Sequence, residues 1–326
     1  MVRILSDSDI ASLLELEDVL SVVAGAFEHQ REGAVERPER PHYPIGTGID
    51  TDTPGEPTGT GLCMPAYIHG SPYAATKLVT VCPENAEREL PTVNAQVSLV
   101  DVETGQPVAY LAGTKITSAR TGCIGGLAAR ELAPDEPIDL GVIGAGTQAR
   151  WQTRAIDAAT ELESIRVYSP SDSRKQCATD LEDELGVPAE PVSNPRDAVD
   201  GATVVVTTTT STEPVFPGET LSPGALVIAV GAYSPEMREL DDETIARADR
   251  IFADVPEEAI ETGDLSGHAE LEVIEFGDVL AGDSGREEAD EILVFSSVGS
   301  AVLDAATAEY VYERGVHKDV GTVVSL

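Results

Sequence analysis

Lysine is nearly missing from this sequence: of 326 residues, only Lys77, Lys115, Lys175 and Lys318 carry it. Positive charge as a whole is scarce, with 21 Lys and Arg against 58 Asp and Glu and a formal charge of −37 at pH 7. A field of one sign repels phosphate backbones and anionic lipid, which excludes nucleic acid and membrane surfaces as partners. Acidity alone would also suit a disordered chain, but 41% hydrophobic residues are enough to build cores. The composition therefore predicts a globular protein of a high-salt organism, where a short screening length mutes self-repulsion.

Cysteine is sparse too. Cys63, Cys82, Cys123 and Cys177 lie far apart, which predicts free thiols in a cytoplasmic protein and no disulfide framework. The five histidines show no metal-ligand spacing, and zinc needs three or four converging ligands, so no metal site is expected. The opening "MVRILSDSDIASLLELEDVL" has neither a basic start nor an apolar stretch closed by small residues, so no signal peptide is expected. No apolar run approaches the ~20 residues that a membrane span needs.

What is present fits two domains, each long enough to bury a core. The serines at 6 and 8 open a helix whose stripe is Leu13, Leu14, Leu16, Val19, Leu20, Val23 and Phe27. Residues 33–60, rich in Gly, Pro and Thr, read as loop with short extended pieces. Residues 61–67, 75–82 and 92–101 read as strands, and "DVETGQPVAYL" as a hairpin turning at Thr104-Gly105. "TSARTGCIGGLAARELA" reads as a helix of small residues suited to close packing.

After Pro137 the pattern changes. "IDLGVIGAG", "ESIRVYSP", "ATVVVTTT", "GALVIAVG", "DRIFADV" and "EILVFSSVG" are strand candidates, most of them separated by helix or loop. Helices are expected at 147–160 and from Asp172. Strands apolar on both faces that alternate with helices predict a parallel sheet covered on both sides. Residues 300–315 predict a last amphipathic helix that returns to the first domain.

"GVIGAGTQAR", residues 141–150, places Gly144-x-Gly146-x-x-Ala149 between a strand and a helix. Gly144 permits the tight turn, Gly146 lets a pyrophosphate approach the backbone, and Ala149 lets the helix sit close to the sheet. NAD-binding versions carry Asp or Glu at the end of the second strand, about 20 residues on, for the ribose 2′-hydroxyl. Here that position is Ser169, in "VYSPSDSRK". Ser169, Ser171, Arg174 and Lys175 suit a 2′-phosphate, which favours NADP(H) and leaves NAD(H) possible; the same residues also suit capping of the next helix.

Lys77 sits in "AATKLVTV", a β-branched strand where burying an ammonium is costly without an anion. The plain alternative is an edge-strand lysine whose stem lies on apolar surface while its head reaches water.

"GLCMPAY", "KLVTVCPEN", "LPTVNAQVSLVDVETGQPVAYL", "TSARTG", "GVIGAGTQAR", "AVGAYSPEMREL" and "FSSVGSAVLD" together resemble the ornithine cyclodeaminase/μ-crystallin family over nearly the whole chain. The resemblance implies an α/β fold: a Rossmann-type doubly wound parallel sheet domain, plus a discontinuous α+β domain for substrate binding and dimerisation. It sets limits of 1–130 plus 303–326 for the substrate domain and 131–302 for the dinucleotide domain. Homodimers acting on small amino or imino acids with NAD(P)(H) are the family's habit. Lys77 falls where the family places a substrate-binding lysine, and Arg40 and Arg120 match its two arginines near the substrate. Arg37 is a rival to Arg40. Thr92, Thr147, Gln148, Thr209, Val230, Gly231, Ser297 and Val298 match positions that touch cofactor or substrate, with Val298 on the substrate side.

Two departures narrow the chemistry. Ornithine cyclodeaminase has a glutamate before its "MP" pair, where this chain has Leu62, and an aspartate after "VGG", where "VGAYSPEM" offers Tyr233. An apolar residue cannot hold a second ammonium, so ornithine loses its handle. The reading that remains is reduction of a small 2-imino acid, a cyclic ketimine such as pyrroline-2-carboxylate, by NAD(P)H. Arg40 and Arg120 would anchor the carboxylate, Lys77 would assist or donate a proton, and Tyr233 would shape the pocket or carry a proton. Alternatives are alanine dehydrogenase, ornithine cyclodeaminase and a non-enzymatic NADPH-dependent binding protein.

Overall fold

The structure, a computed structural model, describes residues 1–88, 90–232, 234–268 and 270–325. The chain opens with β1 (Val2–Leu5), α1 (Asp7–Leu13), α2 (Leu16–Arg31), β2 (Val35–Glu36), β3 (His42–Ile45) and β4 (Gly59–Ile68). There follow β5 (Tyr73–Val81), β6 (Val93–Asp101), β7 (Pro107–Ala112), α3 (Gly113–Leu132), β8 (Ile138–Ile143), α4 (Thr147–Ala159), β9 (Leu162–Tyr168) and α5 (Ser173–Leu185). Next come β10 (Ala189–Val192), α6 (Pro195–Val199), β11 (Val204–Thr207), β12 (Leu226–Ala229), α7 (Asp242–Arg247) and β13 (Arg250–Ala253). The last are α8 (Pro256–Ala259), β14 (Val273–Glu275), α9 (Phe276–Leu280), β15 (Leu293–Ser296), α10 (Ala301–His317) and β16 (Thr322–Val324).

Two compact units result. The first holds residues 1–15, 32–120 and 301–326, and the second holds 16–31 and 121–300. These limits differ from the sequence-based 1–130 plus 303–326 and 131–302 in three places, the smallest being that Ala301 and Val302 go with the last helix. Residues 16–31 join the second unit, because α2 packs on α4 and α9 there. The boundary also falls inside α3, between Arg120 and Thr121, rather than after the helix.

The single N-terminal helix expected from the apolar stripe is two helices. Ser6 caps α1 with a capping box closed by Asp9, and Leu14 turns extended (φ −73°, ψ 121°) to end it. The stripe splits because α1 packs against α10 in the first unit, while α2 serves the second unit's core.

In the first unit an eight-stranded sheet runs β16-β1-β7-β6-β5-β4-β2, with β3 also on β4. All pairings are antiparallel except β1 with β7. Alternation along β4 and β5 buries one face, and α10 covers it. Gly105, with φ +68°, makes the turn between β6 and β7 that the Thr104-Gly105 pair predicts.

The second unit is a wholly parallel sheet in the order β10-β9-β8-β11-β12-β15-β13-β14. Every residue of β11, β12 and β15 is buried, as a sheet covered on both faces requires. Each such Val, Leu, Ile or Phe contributes roughly 1.5–3 kcal/mol relative to exposure. From β8 the chain builds outward through β9 and β10, then returns beside β8 with β11. That reversal creates a crevice at the carboxyl ends of β8 and β11, the place where such sheets take ligands.

Candidate active site

Lys77 stands mid-strand in β5, paired with Met64 of β4 and Val97 of β6. Directly paired residues share a face, so Lys77 emerges beside Leu62, Met64 and Val79 on the buried, apolar side. It is not an edge lysine reaching for water: its side chain is 2% exposed.

Its partner is a residue that the sequence reading did not single out. Asp304 lies in the first turn of α10, on a buried stripe with Ala301, Ala308, Val311 and Gly315. Asp304 Oδ2 accepts from Lys77 Nζ at 2.5 Å, and Oδ1 accepts from Arg120 Nε at 2.9 Å. The stripe itself was the available signal, since Asp304 is its one acid among small and apolar residues.

Electrostatics follow from burial. Desolvation is the largest influence on Lys77 and lowers its ammonium to about 8; Asp304 opposes this, while Arg120 and Arg40 push the same way as burial. Burial alone would raise the Asp304 carboxyl, but Arg120 and Lys77 beside it hold it below the usual carboxylate range. At neutral pH all three groups are therefore charged. Two cations against one carboxylate leave a net positive charge in an apolar setting.

Arg40 is half-buried in the same unit and close enough for its charge to weigh on Lys77. Lys77 and Arg120, far apart in sequence, thus meet at Asp304, with Arg40 of the same unit within electrostatic reach of Lys77. Thr92 is in this unit too, half-buried just before β6, its carbonyl accepting from the Cys82 amide at 2.8 Å. Val298 belongs to the second unit, where it is 6% exposed. Tyr233 lies outside the described residues.

In the second unit, β8 is followed directly by Gly144, whose φ of +119° is one that residues with a side chain rarely adopt. A Cβ there would lie 2.5 Å from Thr208 Oγ1, so glycine lets β8 and β11 approach. At Gly146, the N-cap of α4, a Cβ would meet nothing within 4 Å and no side chain caps the helix. The first amides of α4 are left for another acceptor. Thr147 is exposed on that first turn, and beside it Gln148 Oε1 is buried with no hydrogen-bond partner among the described residues. An open cradle and uncapped amides at one helix start fit the pyrophosphate of a dinucleotide, while the orphaned Gln148 oxygen, an acceptor, suits a hydroxyl donor.

At the end of β9, Ser169 is buried, its Oγ 3.3 Å from Ser173 Oγ and 3.4 Å from Ser171 Oγ. Arg174 Nη1 donates to the carbonyls of Ser169 at 3.1 Å and Ser171 at 2.6 Å. A guanidinium is thereby fixed beside a serine-rich loop where NAD-binding versions carry a carboxylate. Lys175 turns to Asp172 instead, at 3.0 Å.

Two buried acids that the sequence reading also passed over organise the remaining loops. Glu239 accepts from Thr207 Oγ1 at 2.8 Å, the Thr209 amide at 2.5 Å and the Gly231 amide at 2.7 Å. Asp254 accepts from Ser297 Oγ at 2.7 Å and from the amides of Val298 at 3.0 Å and Gly299 at 2.7 Å. Thr209, Gly231, Ser297 and Val298 are thus each held by one of these carboxylates, and Val230 precedes Gly231 in the same loop.

Among the described residues no cluster of His, Cys, Asp or Glu could hold a metal ion, and no helix is long and apolar enough to cross a membrane. The four cysteines are free.

Residues 2–319 match the ornithine cyclodeaminase/mu-crystallin family as a whole. The chain belongs to this family. It is 34% identical over 328 residues to a Δ1-pyrroline-2-carboxylate reductase of Bacillus cereus, an alignment covering 98% of each protein. Among solved structures, it resembles the Δ1-pyrroline-2-carboxylate reductase of Thermococcus litoralis in complex with NADH and L-proline. That likeness has a TM-score of 0.92 at 31% identity, over 99% of this chain and 100% of the other. It also resembles an archaeal alanine dehydrogenase dimer with bound NAD, with a TM-score of 0.90 at 31% identity over 100% and 99% of the two chains.

Proposed function

We propose that the protein is an NAD(P)H-dependent reductase of a small 2-imino acid, a cyclic ketimine carboxylate such as pyrroline-2-carboxylate. The observation that carries this is the sealed Lys77–Asp304–Arg120 cluster with its unbalanced positive charge. Burying two cations and one anion is costly, and the surplus favours one small anion over any neutral ligand. Relatives across the full chain length reduce this kind of substrate.

The chain's own groups then divide the work. Among the described residues Arg120 gives only Nε to Asp304, so its terminal nitrogens remain for two parallel bonds to a carboxylate. Lys77 adds an ammonium that stays charged below about pH 8, able to hold the same carboxylate or to protonate the nitrogen. Asp304 fixes both cations, so the anion is gripped by groups that need not reorganise. Leu62 and Met64 give the face beside Lys77 an apolar lining suited to ring methylenes and unsuited to a second ammonium. When bound, the reduced nicotinamide supplies the hydride.

We infer NADP(H) rather than NAD(H), because Ser169 and Arg174 stand where a carboxylate would otherwise receive the ribose hydroxyls. We also infer a homodimer, the state of the archaeal alanine dehydrogenase that the chain resembles. The test is a substrate panel with both coenzymes in molar salt. Oxidation of NADPH by pyrroline-2-carboxylate, lost when Lys77 becomes Ala, is the expected result. Ammonia released from ornithine, turnover of pyruvate with ammonia alone, or ligand binding without turnover of any imine would each replace this reading.

A further inference from the structure

We propose that Glu239 is a positioning residue for the bound coenzyme: its carboxylate staples the loops after β11 and β12, fixing Thr209 and Gly231. The proposal rests on the nicotinamide coenzyme reading above.

β11 and β12 are parallel neighbours that end together at Thr207 and Ala229. Beyond their carboxyl ends the ladder continues, among the described residues, by a single backbone bond, Val230 N to Thr207 O at 3.1 Å. Farther along, backbone bonds from Arg238 N to Ser211 O at 2.9 Å and from Val215 N to Glu239 O at 2.8 Å join the same loops, but between them Thr209 and Gly231, among the described residues, still need a tie. Glu239 supplies one, with the Thr209 amide on Oε1 and both the Thr207 hydroxyl and the Gly231 amide on Oε2. Asp264, in the short turn Gly263–Leu265, fixes the backbone on either side of this acid by accepting from the amides of Glu239 at 2.6 Å and Leu240 at 2.7 Å. The packing is closed: a Cβ on Gly231 would lie 2.2 Å from Thr209 O and 2.5 Å from Glu239 Oε1.

A carboxylate suits this place because it offers acceptors on both oxygens, and all three partners are donors. Glutamine would turn an NH₂ toward at least one of those donors. The acid is nevertheless expensive, since Glu239 is fully buried, has no cation among its described hydrogen-bond partners and feels the like charge of Asp264. Burial pushes its carboxyl up to about 7, Asp264 adds to the rise, and the bonds from Thr209 and Thr207 oppose it. A core indifferent to the positions of Thr209 and Gly231 would be served more cheaply by apolar packing.

The test compares Glu239→Gln and Thr207→Val in the full chain. NADPH and NADH binding are followed by fluorescence, amide hydrogen exchange is read at Thr209 and Gly231, and the loop held by Asp254 serves as internal control. The expected result for Glu239→Gln is faster exchange at Thr209 and Gly231, unchanged exchange at Val298 and Gly299, and coenzyme Kd raised about tenfold. The imine KM at saturating coenzyme should stay within about twofold. Thr207→Val, which deletes one bond of the three, should move both readings the same way by less. Loosened loops with unchanged coenzyme Kd, or unchanged loops, would overturn the proposal while leaving the coenzyme reading intact. Failure of the wild-type protein to bind either coenzyme would remove the reading itself, and this proposal with it.

Discussion

Lys77 Nζ lies 2.5 Å from Asp304 Oδ2, a contact that joins a mid-sheet strand to the last helix across 227 residues of sequence. The same carboxylate holds Arg120, so removing it strands two buried cations side by side. Asp304→Asn is therefore expected to cost about 3 kcal/mol or more of stability. Imine reduction should fall by roughly two orders of magnitude or more as the cluster loses its geometry. Thermal unfolding and kcat/KM on the purified variant check both numbers, and near-native values for each would contradict the assignment.

The depressed Lys77 ammonium gives activity a pH signature. Reduction needs the charged form, so kcat/KM should be level below about pH 8 on this account and fall about tenfold per pH unit above it. Lys77→Arg should lower the plateau but carry it past pH 10, because a guanidinium does not titrate there. Stability moves the other way. Between about 8 and 10.5 the unfolded chain binds more protons than the folded one, so stability rises with pH across that window as the burial penalty on Lys77 lifts. A kinetic profile measured beside a pH series of unfolding midpoints separates the two trends.

Leu62 shares the apolar face of Lys77, two residues along β4 from the Met64 that pairs with it. Leu62→Glu would bring a second carboxylate toward the cluster and cancel its surplus charge. Reduction of pyrroline-2-carboxylate should fall at least about tenfold, and the unfolding midpoint should drop with the buried acid. Steady-state kinetics check the first outcome and calorimetry the second.

Coenzyme choice is expected to turn on Ser169. Ser169→Asp places a carboxylate where a 2′-phosphate would lie and a ribose hydroxyl would be welcomed. The KM for NADPH should rise about tenfold or more while that for NADH falls, and the ratio of the two is the quantity to measure. An unchanged ratio would remove Ser169 from coenzyme selection.

Most of the order of strands and helices from Pro137 onward was plain in the sequence, because strands such as β11, β12 and β15 are short runs apolar on both faces and bounded by turn residues. Lys77 was legible for a related reason: a lone lysine in a β-branched run has no cheap structural role. Asp304 was not, since an acid near a helix start also suits capping or the helix dipole, and only the fold shows that its face is covered. The break between α1 and α2 was hidden because Leu13, Leu14 and Leu16 keep a helical rhythm across it, although the two halves serve different cores. Short β10 and β14 escaped notice for want of a long apolar run; β10 carries a proline, and neither has a fully buried residue. Glu239 and Asp254 look like ordinary surface acids until burial and their backbone donors are known.

Ribosomal synthesis gives the Lys77–Asp304–Arg120 arrangement one more consequence. Both cations leave the exit tunnel long before the acid does, 227 and 184 residues ahead of it. The β-sheet that carries Lys77 must therefore wait with its charge unmatched until α10 is made. A chain cut short before Ala301 would keep the intact dinucleotide fingerprint yet hold a sheet that water has every reason to enter.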